Sequence, residues 1–123
     1  MPTMKVLLIE DDPTTQLLFQ MVMSHHEIPL MVTGDRLTAL EALKHFSPNI
    51  IVVDIFLPET NGYKLLSEIR STYQLSCPAI ATTAFYTTDS LDEFEEAGFD
   101  GYLSKPLELE MIVPYLQQIV ARH

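Results

Sequence analysis

The chain has 123 residues, 47% of them hydrophobic, enough for one compact domain that needs neither disulfides nor a structural metal. Seventeen acidic against seven basic residues give a formal charge of −10, which repels phosphate backbones and argues against direct nucleic-acid binding. No apolar stretch approaches a membrane span, the first ten residues read as a strand rather than a leader, and the lone Cys77 reads as core filling; the expectation is a soluble, cytoplasmic protein.

Val6 to Ile9 is an apolar run without polar alternation, the pattern of a strand buried on both faces, and it ends on Glu10 and Asp11. Asp12-Pro13 reads as an N-cap followed by proline at the first helical position, with Leu17, Leu18, Met21 and Val22 recurring at helical spacing behind it. Ile28 to Thr33 is predicted as a second strand and Gly34-Asp35 as a turn and cap. Leu37, Leu40, Leu43 and Phe46 then form the buried stripe of a second helix, which Ser47-Pro48-Asn49 stops. The third strand, Ile50 to Asp54, again ends on a carboxylate. A loop with Pro58 and Asn61-Gly62 leads to a third helix marked by Leu65, Leu66, Ile69 and Tyr73. Cys77-Pro78 opens the fourth strand, Ala79 to Thr83. The polar stretch Tyr86 to Asp89 leads into a helix with Leu91, Phe94 and Ala97 inward and Gly98 just past its end. Gly101 to Ser104 is the fifth strand, followed by Lys105-Pro106. Leu109, Ile112, Val113, Leu116, Ile119 and Val120 turn a last helix toward the sheet, and Pro114 inside it should kink or delay it.

Strict alternation of strand and helix with short loops implies a parallel sheet covered by helices on both faces, reached by right-handed crossovers. Ligands of such sheets bind beyond the carboxyl ends of the strands, which is where Glu10, Asp11, Asp54 and Lys105 converge. No glycine-rich phosphate loop follows the first strand, which excludes a nucleotide site of the usual kind. Three adjacent carboxylates are costly unless a hard divalent cation sits between them, and Mg²⁺ suits because it accepts few protein ligands and completes its shell with water and phosphate oxygens. A lysine at the same edge can hold a phosphoryl oxygen during transfer, and Thr83 can add a hydroxyl donor. Taken singly, the acids are ordinary helix-start residues and Thr82 and Thr83 ordinary strand residues.

From Lys5 to about Val120 the chain resembles the receiver domain of two-component response regulators. The matching motifs are Leu7 to Pro13, Val52 to Pro58, Asn61-Gly62, Thr83-Ala84 and Gly101 to Pro106. The resemblance implies a flavodoxin-like doubly wound sheet of five strands in the order 2-1-3-4-5 with five helices, as a single receiver domain over 1–123. It implies that Asp54 accepts a phosphoryl group from a phosphohistidine of a histidine kinase or histidine phosphotransfer domain. Asp11, Asp54 and the backbone carbonyl of Phe56 would ligate Mg²⁺, with Glu10 helping directly or through water. Lys105 would pair with the phosphoryl group or, at rest, with Asp54, and the bond to Pro106 is expected to be cis. On phosphorylation Thr83 moves toward the new oxygens and Tyr102 rotates inward. The surface of the fourth helix, fifth strand and fifth helix then changes for a downstream partner, an output domain or a second copy of the chain. Such a protein catalyses only its own Mg²⁺-dependent phosphorylation and dephosphorylation, and binds neither nucleic acid nor membrane directly.

Two departures stand out. The positions two residues after the acceptor and two after the threonine, which modulate phosphoryl lifetime in this family, are Phe56 and Phe85; both are apolar, and slow hydrolysis is the expectation. Asp89, Asp92, Glu93, Glu95 and Glu96 make the fourth helix acidic, which reads first as a solvated face and second as a way to select a basic partner. His25 and His26 read as helix-end histidines favoured by the dipole rather than a metal pair. Two competing functions are a degenerate receiver acting as a phosphorylation-independent scaffold, against which the complete acid, threonine and lysine set speaks, and a Mg²⁺-dependent phosphatase with an aspartyl nucleophile. The latter needs an aspartate where this chain has Phe56. Met1 with its short leader, and an end soon after the last helix, suggest a stand-alone or N-terminal domain.

Overall fold

A computed structural model describes residues 4–84 and 88–123. Its elements alternate along the chain: β1 (Val6–Ile9), α1 (Pro13–His25), β2 (Leu30–Thr33), α2 (Arg36–Ala42), β3 (Ile50–Asp54), α3 (Gly62–Tyr73), β4 (Ala79–Thr83), α4 (Thr88–Glu96), β5 (Gly101–Ser104) and α5 (Leu109–Arg122). The five strands are parallel and lie in the order β2-β1-β3-β4-β5, as expected. No helix among the described residues is long and apolar enough to cross a membrane.

Because side chains alternate along a strand, the apolar runs serve two cores at once. Leu7, Ile9, Ile51, Val53, Ala79 and Ala81 pack with Leu65, Leu66 and Ile69 of α3 and with Phe94 of α4. Val6, Leu8, Ile50, Val52 and Ile80 pack with Phe19 and Met23 of α1 and with Ile112, Val113 and Leu116 of α5. Burial on both faces is why these strands carry no polar alternation.

The caps read from the sequence form. Asp12 accepts from the N–H groups of Thr14 and Thr15, and Asp35 and Thr38 make a reciprocal capping box at α2. Gly98, at φ 96°, closes α4.

Several details differ from the expectation. The inward stripe of α1 is Thr15, Phe19 and Met23, while Leu17 and Met21 face solvent. The cap at Asp12 fixes the phase of the helix, and the large Phe19 then takes the core position. In α2 the inward residues are Ala39 and Leu40 and Leu37 is exposed; the helix ends at Ala42, so Leu43 and Phe46 reach the core from its C-cap and the turn beyond. β2 begins at Leu30 rather than Ile28, because Glu27 adopts φ 56° and ends α1 in a Schellman turn: its N–H donates to the Ser24 carbonyl and the Ile28 N–H to that of Met23. A glutamate in a place usually given to glycine hid that turn. Pro114 lies exposed within α5, which starts at Leu109 and runs unbroken to Arg122. His25 ends α1 and His26 is its C-cap, and their rings lie edge to face with centroids 5.2 Å apart.

Candidate functional site

The carboxyl ends of β1, β3 and β4 carry the site. Ile9 pairs with Val53 and Asp54 with Thr82, so continued alternation places Glu10, Asp54 and Thr82 in one row on the face covered by α1 and α5. Glu10 has no exposed surface and Asp54 is 5% exposed, whereas Asp11 stands in solvent at the start of the loop. The three offer carboxylate oxygens that all lie within 4.8 Å of one another. Such an all-oxygen, multiply charged donor set suits a hard divalent cation and could hold a metal.

Asp54 is fixed locally. Its Oδ1 accepts the N–H of Phe56 at 2.9 Å, turning the chain out of β3. Asn61 caps α3 by accepting the N–H of Lys64, and the Gly62 N–H donates to the Ile55 carbonyl. A Cβ on Gly62 would lie 2.9 Å from the Asp54 carbonyl oxygen, so only glycine lets α3 begin this close to Asp54.

Lys105 follows β5, its N–H donating to the Thr83 carbonyl at 2.9 Å, and its bond to Pro106 is cis. Its Nζ lies 3.1 and 3.0 Å from the two oxygens of Glu10 and 3.7 Å from Asp54 Oδ2. The ammonium thus pairs with Asp54, as expected, and lies closer still to Glu10, because the carboxylate without solvent needs the countercharge most. Glu10 takes two further donors, the N–H of Asp12 at 3.2 Å and the Thr82 hydroxyl at 3.4 Å. Burial pushes its pKa up to about 7, helped by the hydrogen bond and charge of Asp54, with Lys105 opposing. Burial works against the charge of Lys105, but the hydrogen bond and charge of Glu10, then the charges of Asp54 and Asp12, outweigh it and leave the lysine above its ordinary value. Without a cation the cluster is short of positive charge.

The other residues singled out from sequence are spread around this edge. Thr83 is buried at the last position of β4. The Phe56 side chain is 62% exposed at the rim. Phe85 lies outside the described residues. Tyr102 is half-buried against Phe94, ring centroids 5.9 Å apart, and its N–H donates to the Tyr115 hydroxyl at 3.1 Å. Grooves lie on both sides of it, one lined by Leu91, Phe94 and Phe99, the other by Leu103, Met111 and Tyr115. Asp92, Glu93, Glu95 and Glu96 of α4 are exposed nearby.

Two residues of the site escaped sequence reading. Thr82 supplies the hydroxyl that reaches Glu10, and Gln16 donates from Nε2 to the Glu10 carbonyl at 2.6 Å. The paired threonines were a signal for the first; nothing local marks the second.

The chain is similar in sequence and fold to known proteins. The polar-differentiation response regulator DivK of Brucella ovis is 29% identical over 93% of this chain and 97% of its own length. The autoinducer 2 sensor kinase/phosphatase LuxQ of Vibrio parahaemolyticus is 33% identical over 86% of this chain, which spans only 12% of that protein. Among solved structures, a two-component response regulator from Clostridium difficile superposes with a TM-score of 0.89 at 23% identity, covering 98% of both chains. The receiver domain of a Francisella response regulator does so at 0.87 and 25% identity, again over 98% of both. The family profile of the response regulator receiver domain matches residues 6–117, nearly all of β1 through α5, and the chain belongs to that family of two-component signalling proteins.

Proposed function

We propose that this chain, as a single receiver domain over 1–123, takes a phosphoryl group from a phosphohistidine onto Asp54. The observation that carries the reading is a nearly buried aspartate at a strand end, flanked by two further carboxylates and faced by a lysine. One oxygen of Asp54 forms the new P–O bond as the P–N bond of the donor breaks, its electron pair leaving on the imidazole, which takes up a proton. Asp11, Asp54 and the Phe56 carbonyl, with Glu10, are the residues that would hold Mg²⁺. When bound, the cation neutralises the carboxylates and the charge on the transferring oxygens. Lys105 exchanges Glu10 for a phosphoryl oxygen, which costs little displacement because it already lies between both acids.

Receiver domains interact with histidine kinases and downstream partners. In this reading the donor is a histidine kinase or phosphotransfer domain. The added charge draws in Thr83 and Tyr102, and the face built by α4, β5 and α5 presents the change to a partner or to a second copy. The test is incubation with Mg²⁺ and a small phosphodonor, followed by intact mass of wild type and Asp54→Asn. Acid-labile phosphate on wild type alone is expected; none on either protein leaves a phosphorylation-independent scaffold.

A further inference from the structure

We infer that Thr82 and Gln16 are positioning residues that hold Glu10 at its two ends and so preset the acidic cluster for its cation. The inference rests on the reading of Glu10, Asp11 and Asp54 as the Mg²⁺ site.

Glu10 is the hinge between β1 and the loop that carries Asp11. Its N–H is the last one tied to the sheet, donating to the Thr33 carbonyl at 2.9 Å. Its carbonyl lies past the ladder and receives the Gln16 amide at 2.6 Å. That carbonyl belongs to the peptide joining Glu10 to Asp11, so fixing its plane fixes where Asp11 leaves the strand. Gln16 can do this because it sits in the second turn of α1, itself anchored by the Asp12 cap. One side chain thus sets the relation between two carboxylates of the cluster.

Thr82 acts at the other end. Its side chain has no exposed surface, follows the apolar Ile80 and Ala81, and lies in the row of Glu10 and Asp54. Packing alone would be served by valine. The hydroxyl instead reaches Glu10 Oε2 at 3.4 Å. Its worth lies in being neutral. Lys105 is the cation on Glu10, yet it is also the group that must follow the phosphoryl oxygen. Once it leaves, the Asp12 N–H and the Thr82 hydroxyl remain to keep the carboxylate in place, and neither repels an incoming dication.

The test is Mg²⁺ titration followed by amide NMR of the whole chain, on wild type, Thr82→Val, Thr82→Ser and Gln16→Met. Urea unfolding without Mg²⁺ checks that each variant is folded. Losing an outer-shell partner costs about tenfold or more in metal affinity, so Thr82→Val and Gln16→Met should each raise the Mg²⁺ Kd by about tenfold, while Thr82→Ser, which keeps the hydroxyl, stays within about twofold of wild type. Serine rescue is the readout that a purely structural role would not give. Wild-type affinity in Thr82→Val and Gln16→Met overturns the inference, as does a serine variant as weak as the valine one. If Thr82→Val does not fold, Gln16→Met decides alone by the same measure. A wild type whose Asp11 and Asp54 amides ignore Mg²⁺ removes the metal-site reading itself, and this inference with it.

Discussion

Glu10→Gln offers a quantitative check on the electrostatics of the site. In the metal-free protein the buried Glu10 has a pKa of about 7 against an ordinary value of 4.5. Its folded-state pKa is raised, so the folded state holds the proton more tightly than the unfolded one. The resulting stabilisation is fully present below about pH 4.5 and is lost as pH rises through 7. Over the full window the shift corresponds to about 3 kcal/mol; between pH 5.5 and pH 8 the same two pKa values give a loss of about 2 kcal/mol. Lys105 stays protonated throughout and does not change the sign. Urea unfolding in the presence of a chelator, at both pH values, should therefore show wild type losing about 2 kcal/mol more than Glu10→Gln, whose amide does not titrate. Taking the difference between the two proteins removes the contribution of every group they share. Saturating Mg²⁺ should restore wild-type stability at pH 8, by about 2.7 kcal/mol at one hundred times its Kd. Equal pH dependence in the two proteins would refute the claim that Glu10 is the strained acid of the cluster.

Other consequences are open to measurement. A Cβ on Gly101 would collide with the Tyr115 hydroxyl, so Gly101→Ala should destabilise by about 1–3 kcal/mol. Adding Tyr115→Phe should return part of that, and a double-mutant cycle with no coupling would count against the contact. Glu27→Gly should stabilise by about 1 kcal/mol, because φ 56° costs a glutamate what it does not cost a glycine; an unchanged or lower urea midpoint would show that the turn is not strained. Phe56→Asn should speed loss of the Asp54 phosphate by about tenfold, the value of one hydrogen bond to the attacking water, and equal rates would sink the lifetime role of Phe56.

Much of this protein is readable from local chemistry. Val6 to Ile9, Ile50 to Asp54 and Ala79 to Thr83 declare buried parallel strands because every position meets a core, and Asp12, Asp35 and Gly98 declare helix ends through their caps. The phases of α1 and α2 were less legible. Leu17, Met21 and Leu37 satisfy helical spacing as well as Phe19 and Ala39 do, and only packing against the sheet decides which set turns inward.

At the site the division is sharper. Residue order along the chain places Glu10, Asp11, Asp54 and Lys105 on one edge, since parallel strands all end there. Which acid the lysine chooses depends on how much solvent each carboxylate keeps, and that is a property of the packed molecule. Glu10 is sealed beneath the loop while Asp11 stands outside it, so Lys105, Thr82 and the Asp12 N–H gather on Glu10. The identities of the charges are written in the chain. Their partnerships are set by burial, because the cost of an unpaired charge is paid only after water has been excluded.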